Sequence, residues 1–343
     1  MSMEIKSEWI EAFKNVFELC EIKKSEKVTI LSECSSRRVN VEITKIALGL
    51  LSLDYTLIEL KSKMSEGPLK VSTGASNVLN GRDFTVNVLC ETDVIIDLTY
   101  EGLMHSEATG KILRSGARIM NISNESPEIL CRLSPKIEMK EKVKNSLKSL
   151  RSAKNMMIKS EVGTDLTINI KGSPVVGVWG WTNKPGTLAH WPGGLVACFP
   201  GGKTVNGTIV FSPGDINLTF KKYFESEVEC IIKDDFITEV HGNSLDAKLM
   251  RQYFESFKDI NNYAISHVGW GLNSDARYEA ISMYGKSQIN GTELRVLEGN
   301  FLFSTGANEF ANRFTEGHFD LPMMDCSIEL DGVVIVKDGK VFC

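Results

Sequence analysis

The sequence predicts two domains: an α/β N-terminal domain with a mostly parallel sheet (residues 1–154) and an α+β C-terminal domain with a largely antiparallel sheet (residues 155–343). Three observations support this prediction. Helix and strand patterns alternate through the first third of the chain, the pattern changes near residue 155, and hairpin signals follow that change. The length of 343 residues also exceeds the ~100–200 residues of a typical single domain.

The N-terminal elements follow from the spacing of apolar residues. Trp9, Ile10, Phe13, Val16 and Phe17 recur at helical spacing. The later predicted elements are a strand at Lys27–Leu31, a helix at Val41–Leu51, strands at Tyr55–Leu60 and Asp93–Leu98, a helix at Ser106–Ser115, and a strand at Arg118–Ile122. Strands separated by helices of ~10–15 residues form βαβ units, so we expect a mostly parallel sheet.

A charged helix at Lys136–Lys154 is predicted either to connect the domains or to be an ordinary surface helix. Beyond it, alternating patterns and turn residues predict antiparallel pairs. These are strands at Met156–Ser160 and Leu166–Ile170, a hairpin of Val228–Ile232 with Phe236–Val240, a helix at Leu245–Phe257, and a hairpin of Val333–Val336 with Lys340–Phe342. The segment Ser287–Gly291 is interpreted as a hairpin turn or a longer loop, and as a possible oligomer contact.

Composition limits the class of protein. Apolar residues make up 42% and charged residues 24%, which is normal for a soluble globular chain and excludes disordered, collagen-like and disulfide-scaffold proteins. The net charge of −5 argues against nucleic acid as the main partner. We see no signal peptide and no apolar run long enough to cross a membrane. Eight scattered cysteines without a C-x-x-C pair predict reduced thiols in a cytoplasmic protein.

A candidate metal site lies in the segment Glu316–Asp320. Residues two apart on a strand point to the same face, so His318 and Asp320 are expected to converge. His267, followed by two glycines, offers a third ligand. Two histidines and one carboxylate form the facial triad of non-haem Fe(II) oxygenases, and they could equally hold a catalytic zinc. From spacing alone, a hydrogen-bonded His/Asp pair without metal is the alternative.

A loop rich in tryptophan and glycine covers residues 179–194. Trp179, Trp181 and Trp191 either line a pocket for a flat organic molecule or pack the loop onto the core. His190 in this loop is a candidate for acid–base chemistry, because the ordinary pKa of histidine lies near neutrality. No dinucleotide or P-loop motif is present in the sequence.

Two further histidines remain. His105 follows the predicted strand Asp93–Leu98, at the carboxyl edge where open α/β sheets bind ligands, although a helix start without a role is the alternative. His241 follows a hairpin strand and is interpreted as structural.

Four segments carry a resemblance to a known family: Gly163–Leu166, Pro200–Gly202, His267–Asn273 and Gly317–Asp320. Their order is similar to that in the dinuclear metalloaminopeptidases of the aminopeptidase T/S type. The chain more closely resembles a specialised group of relatives, the bacterial 2,5-dihydroxypyridine 5,6-dioxygenases of nicotinate catabolism. That second resemblance extends into the N-terminal domain around His105.

The two groups differ at two positions. Where the aminopeptidases carry glutamates, this chain has Lys203 and His267, which would dismantle a two-metal cage because lysine is cationic. The dioxygenase resemblance implies Fe(2+) bound by His267, His318 and Asp320. It also implies that His105 and His190 lie near the substrate, with His105 the first choice for the catalytic base.

The resemblance further implies a reaction. It is the opening of 2,5-dihydroxypyridine, or a close hydroxylated pyridine, between C5 and C6 by O₂ to give N-formylmaleamic acid. The expected partners are a small aromatic N-heterocycle and O₂, with no nucleic acid or membrane, and a homo-oligomer is expected for a cytoplasmic enzyme of this type. The alternatives are a metal-dependent aminopeptidase or amidase, and a metal-free protein that binds an aromatic molecule on the same fold.

Overall fold

The computed structural model describes residues 4–63 and 73–342. Its N-terminal half alternates helices and short strands, as the hydrophobic spacing predicts. The elements are α1 (Ser7–Leu19), β1 (Val28–Glu33), α2 (Arg38–Leu50), β2 (Thr56–Leu60), α3 (Asp83–Cys90), β3 (Val94–Asp97), α4 (Thr109–Arg114), β4 (Arg118–Ile122), α5 (Pro127–Arg132) and α6 (Ile137–Ser152).

The C-terminal half consists mainly of strands. They are β5 (Asn155–Lys159), β6 (Asp165–Asn169), β7 (Val175–Val178), β8 (Leu188–Trp191), β9 (Leu195–Cys198), β10 (Val205–Phe211), β11 (Ile216–Asn217), β12 (Lys222–Tyr223), β13 (Val228–Lys233), β14 (Phe236–His241), β15 (Ile265–Gly271), β16 (Phe301–Asn308), β17 (Arg313–Met323), β18 (Ser327–Leu330), β19 (Val333–Lys337) and β20 (Lys340–Val341). The helices are α7 (Leu245–Ser256), α8 (Ala280–Met283) and α9 (Thr292–Val296), with 3₁₀ turns at Ile260–Tyr263 and Glu309–Ala311.

The first sheet is parallel, in the order β2-β1-β3-β4-β8. Strands β1, β3 and β4 are buried along their whole length, because helices cover both faces of a parallel sheet. Helix α1 packs its apolar stripe, which includes Phe13, Val16 and Phe17, into this core. The α/β class predicted for the N-terminal half is therefore confirmed.

Two large antiparallel sheets and the short antiparallel pair β11–β12 hold the other strands of the described residues. One has the order β14-β13-β10-β6-β5-β18-β19-β20, and the other has the order β17-β16-β15-β9-β7. Their facing sides share one core, filled by aromatic residues such as Phe211, Phe303 and Phe319. The antiparallel class is confirmed, and both predicted hairpins are present as β13–β14 and β19–β20.

The boundary between the two halves is crossed by one strand. Strand β8 lies beyond residue 154 in the chain, yet it pairs in parallel with β4 at the edge of the first sheet. Helix α6 buries Val143, Ser146 and Leu150, and Val143 and Leu147 approach Gly177 of β7, so α6 packs on the second antiparallel sheet. The division at residue 154 stays a prediction.

The cysteines of the described residues form no disulfides. Cys20, Cys198, Cys230 and Cys326 are buried, Cys34 is exposed, and all cysteines in the described residues are free; Cys343 lies outside them. The helices of the described part of the chain are all too short or too polar to cross a lipid bilayer.

A buried carboxylate of the N-terminal half holds the segment that precedes α9. Glu125 is fully buried and accepts hydrogen bonds from the backbone N–H groups of Asn290 (2.7 Å), Gly291 (2.7 Å) and Thr292 (2.8 Å). The Nζ of Lys221 donates to the carbonyl of Lys286 at 2.8 Å. The predicted turn or loop at Ser287–Gly291 is thus part of a loop between α8 and α9 that is held by hydrogen bonds to the buried side chains of Glu125 and Lys221.

We expect the substitution Glu125→Gln to lower the free energy of unfolding by about 1–3 kcal/mol, because the amide NH₂ would face a backbone N–H that has no other acceptor. Urea unfolding of the full chain measures the change. Exposed Glu255 on α7 provides the control, and Glu255→Gln should stay within about 0.5 kcal/mol of the unchanged protein. Equal stability of the two variants would show that Glu125 does not support the loop.

Candidate metal centre and catalytic cavity

A cavity of about 640 Å³ lies where the two halves of the chain meet. Its floor is polar and contains His105, His190, His267, His318 and Asp320. Its walls are mainly apolar, and they include Leu113, Val176, Val178, Leu188, Leu195, Ala197, Phe199 and Leu302, with Phe310 and Phe314 exposed at the rim. A few polar groups at one end of an apolar cavity are typical of a small-molecule site.

The pairing of β15, β16 and β17 brings three predicted ligands together. His318 and Asp320 lie on the same face of β17, and His267 lies on β15, two strands away. Oδ1 of Asp320 is 3.2 Å from Nε2 of His318 and 3.7 Å from Nε2 of His267. The side chains of His318 and Asp320 and that of the upstream His267 therefore converge on one point.

Asp320 is held in its ionised form. Burial alone would raise the pKa of its carboxyl, but the Arg295 guanidinium and the neighbouring His318 keep the pKa well below its usual value. Nε of Arg295 lies 2.5 Å from Oδ2, and the Ser304 hydroxyl donates to Oδ1. The carboxylate thus presents Oδ1 to the two histidines while Oδ2 is bound by arginine.

A serine hydroxyl lies beside each ring nitrogen of His267. The Ser266 hydroxyl donates its only hydrogen to the carbonyl of Ala307, so at its 3.2 Å contact with Nδ1 it can only accept. Nε2 faces Asp320 and, at 3.1 Å, Ser304, whose hydroxyl gives its hydrogen to Asp320. A cation held by Nε2 would leave the ring hydrogen on Nδ1, where Ser266 would accept it. Burial lowers the pKa of His267 to about 3, so the ring is neutral.

His318 completes a donor set that suits a transition metal. Burial lowers the pKa of its imidazole, and within the described residues its buried Nδ1 has no hydrogen-bond partner. Two neutral imidazoles and one ionised carboxylate match the two-histidine, one-carboxylate set of mononuclear iron sites. The residues present thus fit a bound divalent cation.

His105 enters the cavity from the N-terminal half. The loop after β3 is fixed by Asp97, whose carboxylate accepts from the N–H of Leu103 and the side chain of Asn121 at 2.8 and 2.7 Å. The His105 ring lies 4.7 Å from that of His318 and 6.0 Å from that of His267. One nitrogen of each of these three rings lies within 4.8 Å of the others. His105 is therefore close enough to bind the same metal ion or to act on a molecule beside that ion.

His190 lines the same cavity from β8. Its Nδ1 lies 2.7 Å from the carbonyl oxygen of Pro192, and a carbonyl only accepts, so Nδ1 carries the hydrogen and Nε2 carries the lone pair. Burial lowers the pKa of His190 to about 4. The ring is therefore a neutral hydrogen-bond acceptor, and both histidines assigned to the substrate region lie in the cavity.

The three tryptophans are placed elsewhere. Trp191 follows His190 on β8 and points to the opposite face, where its ring packs 5.0 Å from that of Phe13 and its N–H donates to the carbonyl of Leu133. Trp181 is buried in the same core and Trp179 packs against it. None of the three lines the cavity, whose walls are aliphatic and phenylalanine side chains instead.

Sequence reasoning did not identify three residues that line the cavity or contact the candidate ligands: Arg295, Ser304 and Glu309. Ser304 lies opposite Asp320 in the β16–β17 register, and Arg295 comes from the short helix α9. Glu309 begins the 3₁₀ turn between β16 and β17, and its Oε2 lies 3.4 Å from Nδ1 of His105. Only a known strand register could have identified Ser304.

His241 is exposed and pairs with Glu239 on β14, which is compatible with its interpretation as a structural residue.

The sequence and the fold are both similar to those of known proteins. A model of the 2,5-dihydroxypyridine 5,6-dioxygenase family matches residues 8–343. A 2,5-dihydroxypyridine 5,6-dioxygenase of Pseudomonas putida is 30% identical over 336 residues, which cover 96% of this chain and 95% of that protein.

Two solved structures are similar over nearly the whole chain. A 2,5-dihydroxypyridine dioxygenase from Pseudomonas putida KT2440 superposes with a TM-score of 0.93 and 29% identity, covering 99% of each chain. The aminopeptidase AmpT from Thermus thermophilus superposes with a TM-score of 0.61 at 11% identity, covering 98% of this chain and 99% of its own, so it shares the fold alone.

We expect Ser266→Ala to weaken metal binding about 10–100-fold while the fold is retained, because the metal-bound His267 would lose the acceptor of its Nδ1 hydrogen. Anaerobic titration with Co(II), followed by its absorption spectrum, measures the affinity. The control is Ser327→Ala, which removes a hydroxyl bonded to Asp338 on an exposed hairpin. An affinity equal to that of the control would show that Ser266 does not support His267 as a ligand.

Proposed function

Because the chain belongs to the 2,5-dihydroxypyridine 5,6-dioxygenase family, we propose that it opens 2,5-dihydroxypyridine, or a close hydroxylated pyridine, between C5 and C6. O₂ is the second substrate, and the product is N-formylmaleamic acid, a step in nicotinate or pyridine catabolism. The supporting observation is the convergence of two neutral imidazoles and one ionised carboxylate at the floor of an apolar cavity.

The metal in this proposal is Fe(II), held by His267, His318 and Asp320. A two-histidine, one-carboxylate set leaves coordination positions open for a substrate oxygen and for O₂. When bound, iron supplies the redox chemistry that lets O₂ react with the electron-rich ring, and its charge lowers the pKa of a bound hydroxyl. Arg295 and Ser304 hold the Asp320 carboxylate in place for this role.

His105 is our first choice for the base that takes the proton of the 5-hydroxyl group. Its ring lies beside that of His318, and its Nδ1 contacts a carboxylate. His190, the second choice, has its pKa lowered to about 4 by burial, so it is a weak base at neutral pH. Its Nε2 lone pair suits instead the acceptance of a hydrogen bond from the substrate ring.

The apolar walls have their own function. Leu195, Ala197, Phe199 and Leu302 surround the polar floor, and the aromatic and aliphatic surface accommodates a flat ring. They also exclude water, which strengthens the electrostatic interactions at the floor. The reactive ring-opening step thus takes place away from bulk solvent.

Two other features bear on the alternatives. Lys203 is exposed and does not line the cavity, and its backbone N–H donates to Asp235. The proposed ligand set contains one carboxylate, which suits one metal rather than the two of the T/S-type aminopeptidases.

We also propose that the protein is a cytoplasmic homo-oligomer. The free thiols fit a reducing compartment, and symmetric oligomers are common among soluble enzymes.

Anaerobic reconstitution tests the reaction. The purified apoprotein is loaded with Fe(II), Zn(II), Co(II) or Mn(II), then given 2,5-dihydroxypyridine with O₂, or separately a leucyl arylamide. We expect oxygen uptake and N-formylmaleamic acid with Fe(II) alone. Arylamide cleavage with Zn(II) or Co(II) would support a peptidase, and metal-independent binding of the pyridine without turnover would support a binding protein.

Single substitutions test the ligand set. We expect His318→Ala to remove iron and activity together, because a ligand is lost. His105→Ala should retain stoichiometric iron and lower turnover by about 10²–10⁴, the usual contribution of a general base. Iron analysis and oxygen uptake are measured on both, with His241→Ala as the exposed control. Iron loss in His105→Ala would favour the set His105, His267 and His318.

A further inference from the structure

We propose that Glu309 is a positioning residue for His105. Its carboxylate accepts the hydrogen of Nδ1, and this leaves Nε2 as the ring nitrogen that takes up the substrate proton. The inference rests on the proposed function, in which His105 is the base. It adds a residue to the site that the sequence analysis did not single out.

The contact itself has a defined direction. Oε2 of Glu309 lies 3.4 Å from Nδ1 of His105, and an ionised carboxylate can only accept a hydrogen bond. The His105 side chain is 9% exposed and that of Glu309 is 38% exposed, and both residues line the cavity. Nδ1 is therefore the donor, and the tautomer of the ring is set.

The backbone on the Glu309 side is rigid. Asn308, fully buried, donates from its side-chain amide to the carbonyls of Pro200 (2.8 Å) and Ser266 (3.0 Å), and it accepts from the N–H of Ala311. Phe310, the residue after Glu309, packs its ring 4.8 Å from the ring of Phe199, measured between centroids. The turn that carries Glu309 is thus fixed to the same wall that carries His267.

The backbone on the His105 side is also fixed. Its N–H donates to the carbonyl of Gly74 at 2.7 Å, and the preceding loop is bound to Asp97. Both partners therefore project from ordered backbone, one from each half of the chain. Their side chains meet without an intervening group, so Glu309 selects one orientation of the ring.

The carboxylate is needed for a second reason. When His105 gains a proton it becomes a positively charged imidazolium. It lies beside His267 and His318, which would hold the metal ion, so this charge would form next to another positive charge. An adjacent carboxylate offsets this charge, as an aspartate does for the histidine of serine-protease triads. Without Glu309 the ring would be free to adopt the wrong tautomer, and its protonated form would lack a counter-charge.

Substitutions of Glu309 in the iron-loaded enzyme test the assignment. We expect Glu309→Gln to lower kcat about 10–100-fold, with KM changed less than about threefold and iron content unchanged. Glu309→Asp should recover part of the loss, because the charge remains while the side chain is shorter. The matched control is Glu239→Gln, which breaks the exposed His241–Glu239 pair of 3.1 Å and should leave kcat unchanged.

A chemical rescue separates positioning from general structure. Because Glu309 is partly exposed, added formate should raise kcat of Glu309→Ala and leave Glu309→Gln, in which the site is filled, unchanged. A kcat for Glu309→Gln within twofold of the unchanged enzyme overturns the proposal. Loss of iron together with activity also overturns it, because Glu309 would then support the metal centre.

A spectroscopic measurement does not depend on the reaction. In the full metal-free chain labelled with ¹⁵N-histidine, the His105 resonances, assigned by their absence in His105→Ala, should show Nδ1 protonated. In Glu309→Ala, which has no acceptor beside Nδ1, they should show the other tautomer or a mixture, and an unchanged tautomer overturns the proposal. If the unchanged enzyme does not consume O₂ with 2,5-dihydroxypyridine, the proposed function fails, and this tautomer result still decides the Glu309 contact.

Discussion

The contact between Arg295 and Asp320 is the interaction on which the site depends. A carboxylate buried among histidines is stable only beside a fixed positive charge, and Arg295 supplies that charge at 2.5 Å. Arg295 comes from α9, and α9 is bound to the N-terminal half through Glu293, which forms two hydrogen bonds to Arg132 at 2.6 and 3.1 Å. A series of buried charges thus links the fold of one half to the ionisation of a ligand in the other.

The two sheet types make different contributions. The antiparallel sheet places His267 on β15 and both His318 and Asp320 on β17, the two strands that flank β16, so the strand register fixes their separations. The parallel sheet presents residues at the carboxyl edge of its strands, and it contributes His105 after β3 and His190 on β8. The proposed metal ligands come from the antiparallel sheet and the groups proposed to face the substrate come from the parallel sheet, and all of them line one cavity.

Much of this arrangement was predictable from the sequence. The alternation of helices and strands gave the fold class, and the two-residue spacing of His318 and Asp320 gave their shared face. The partners of Asp320 and His105 were not predictable, because Ser304 reaches Asp320 through a strand register and Glu309 reaches His105 from a turn that no local pattern encodes. The loop at 179–194 lines the cavity as expected, but its tryptophans do not: neighbouring residues on β8 face opposite ways, so His190 lines the cavity and Trp191 enters the core.

The position of β8 has a consequence for synthesis of the chain on the ribosome. This strand closes the edge of the parallel sheet, although 65 residues separate it from its neighbour β4 when counted from Ile122 to Leu188. The nascent N-terminal half therefore emerges with an open sheet edge beside β4, which remains unpaired until Trp191 has left the exit tunnel. Open strand edges are sites of intermolecular pairing, so this interval is the stage of biogenesis at which a chaperone would protect the chain.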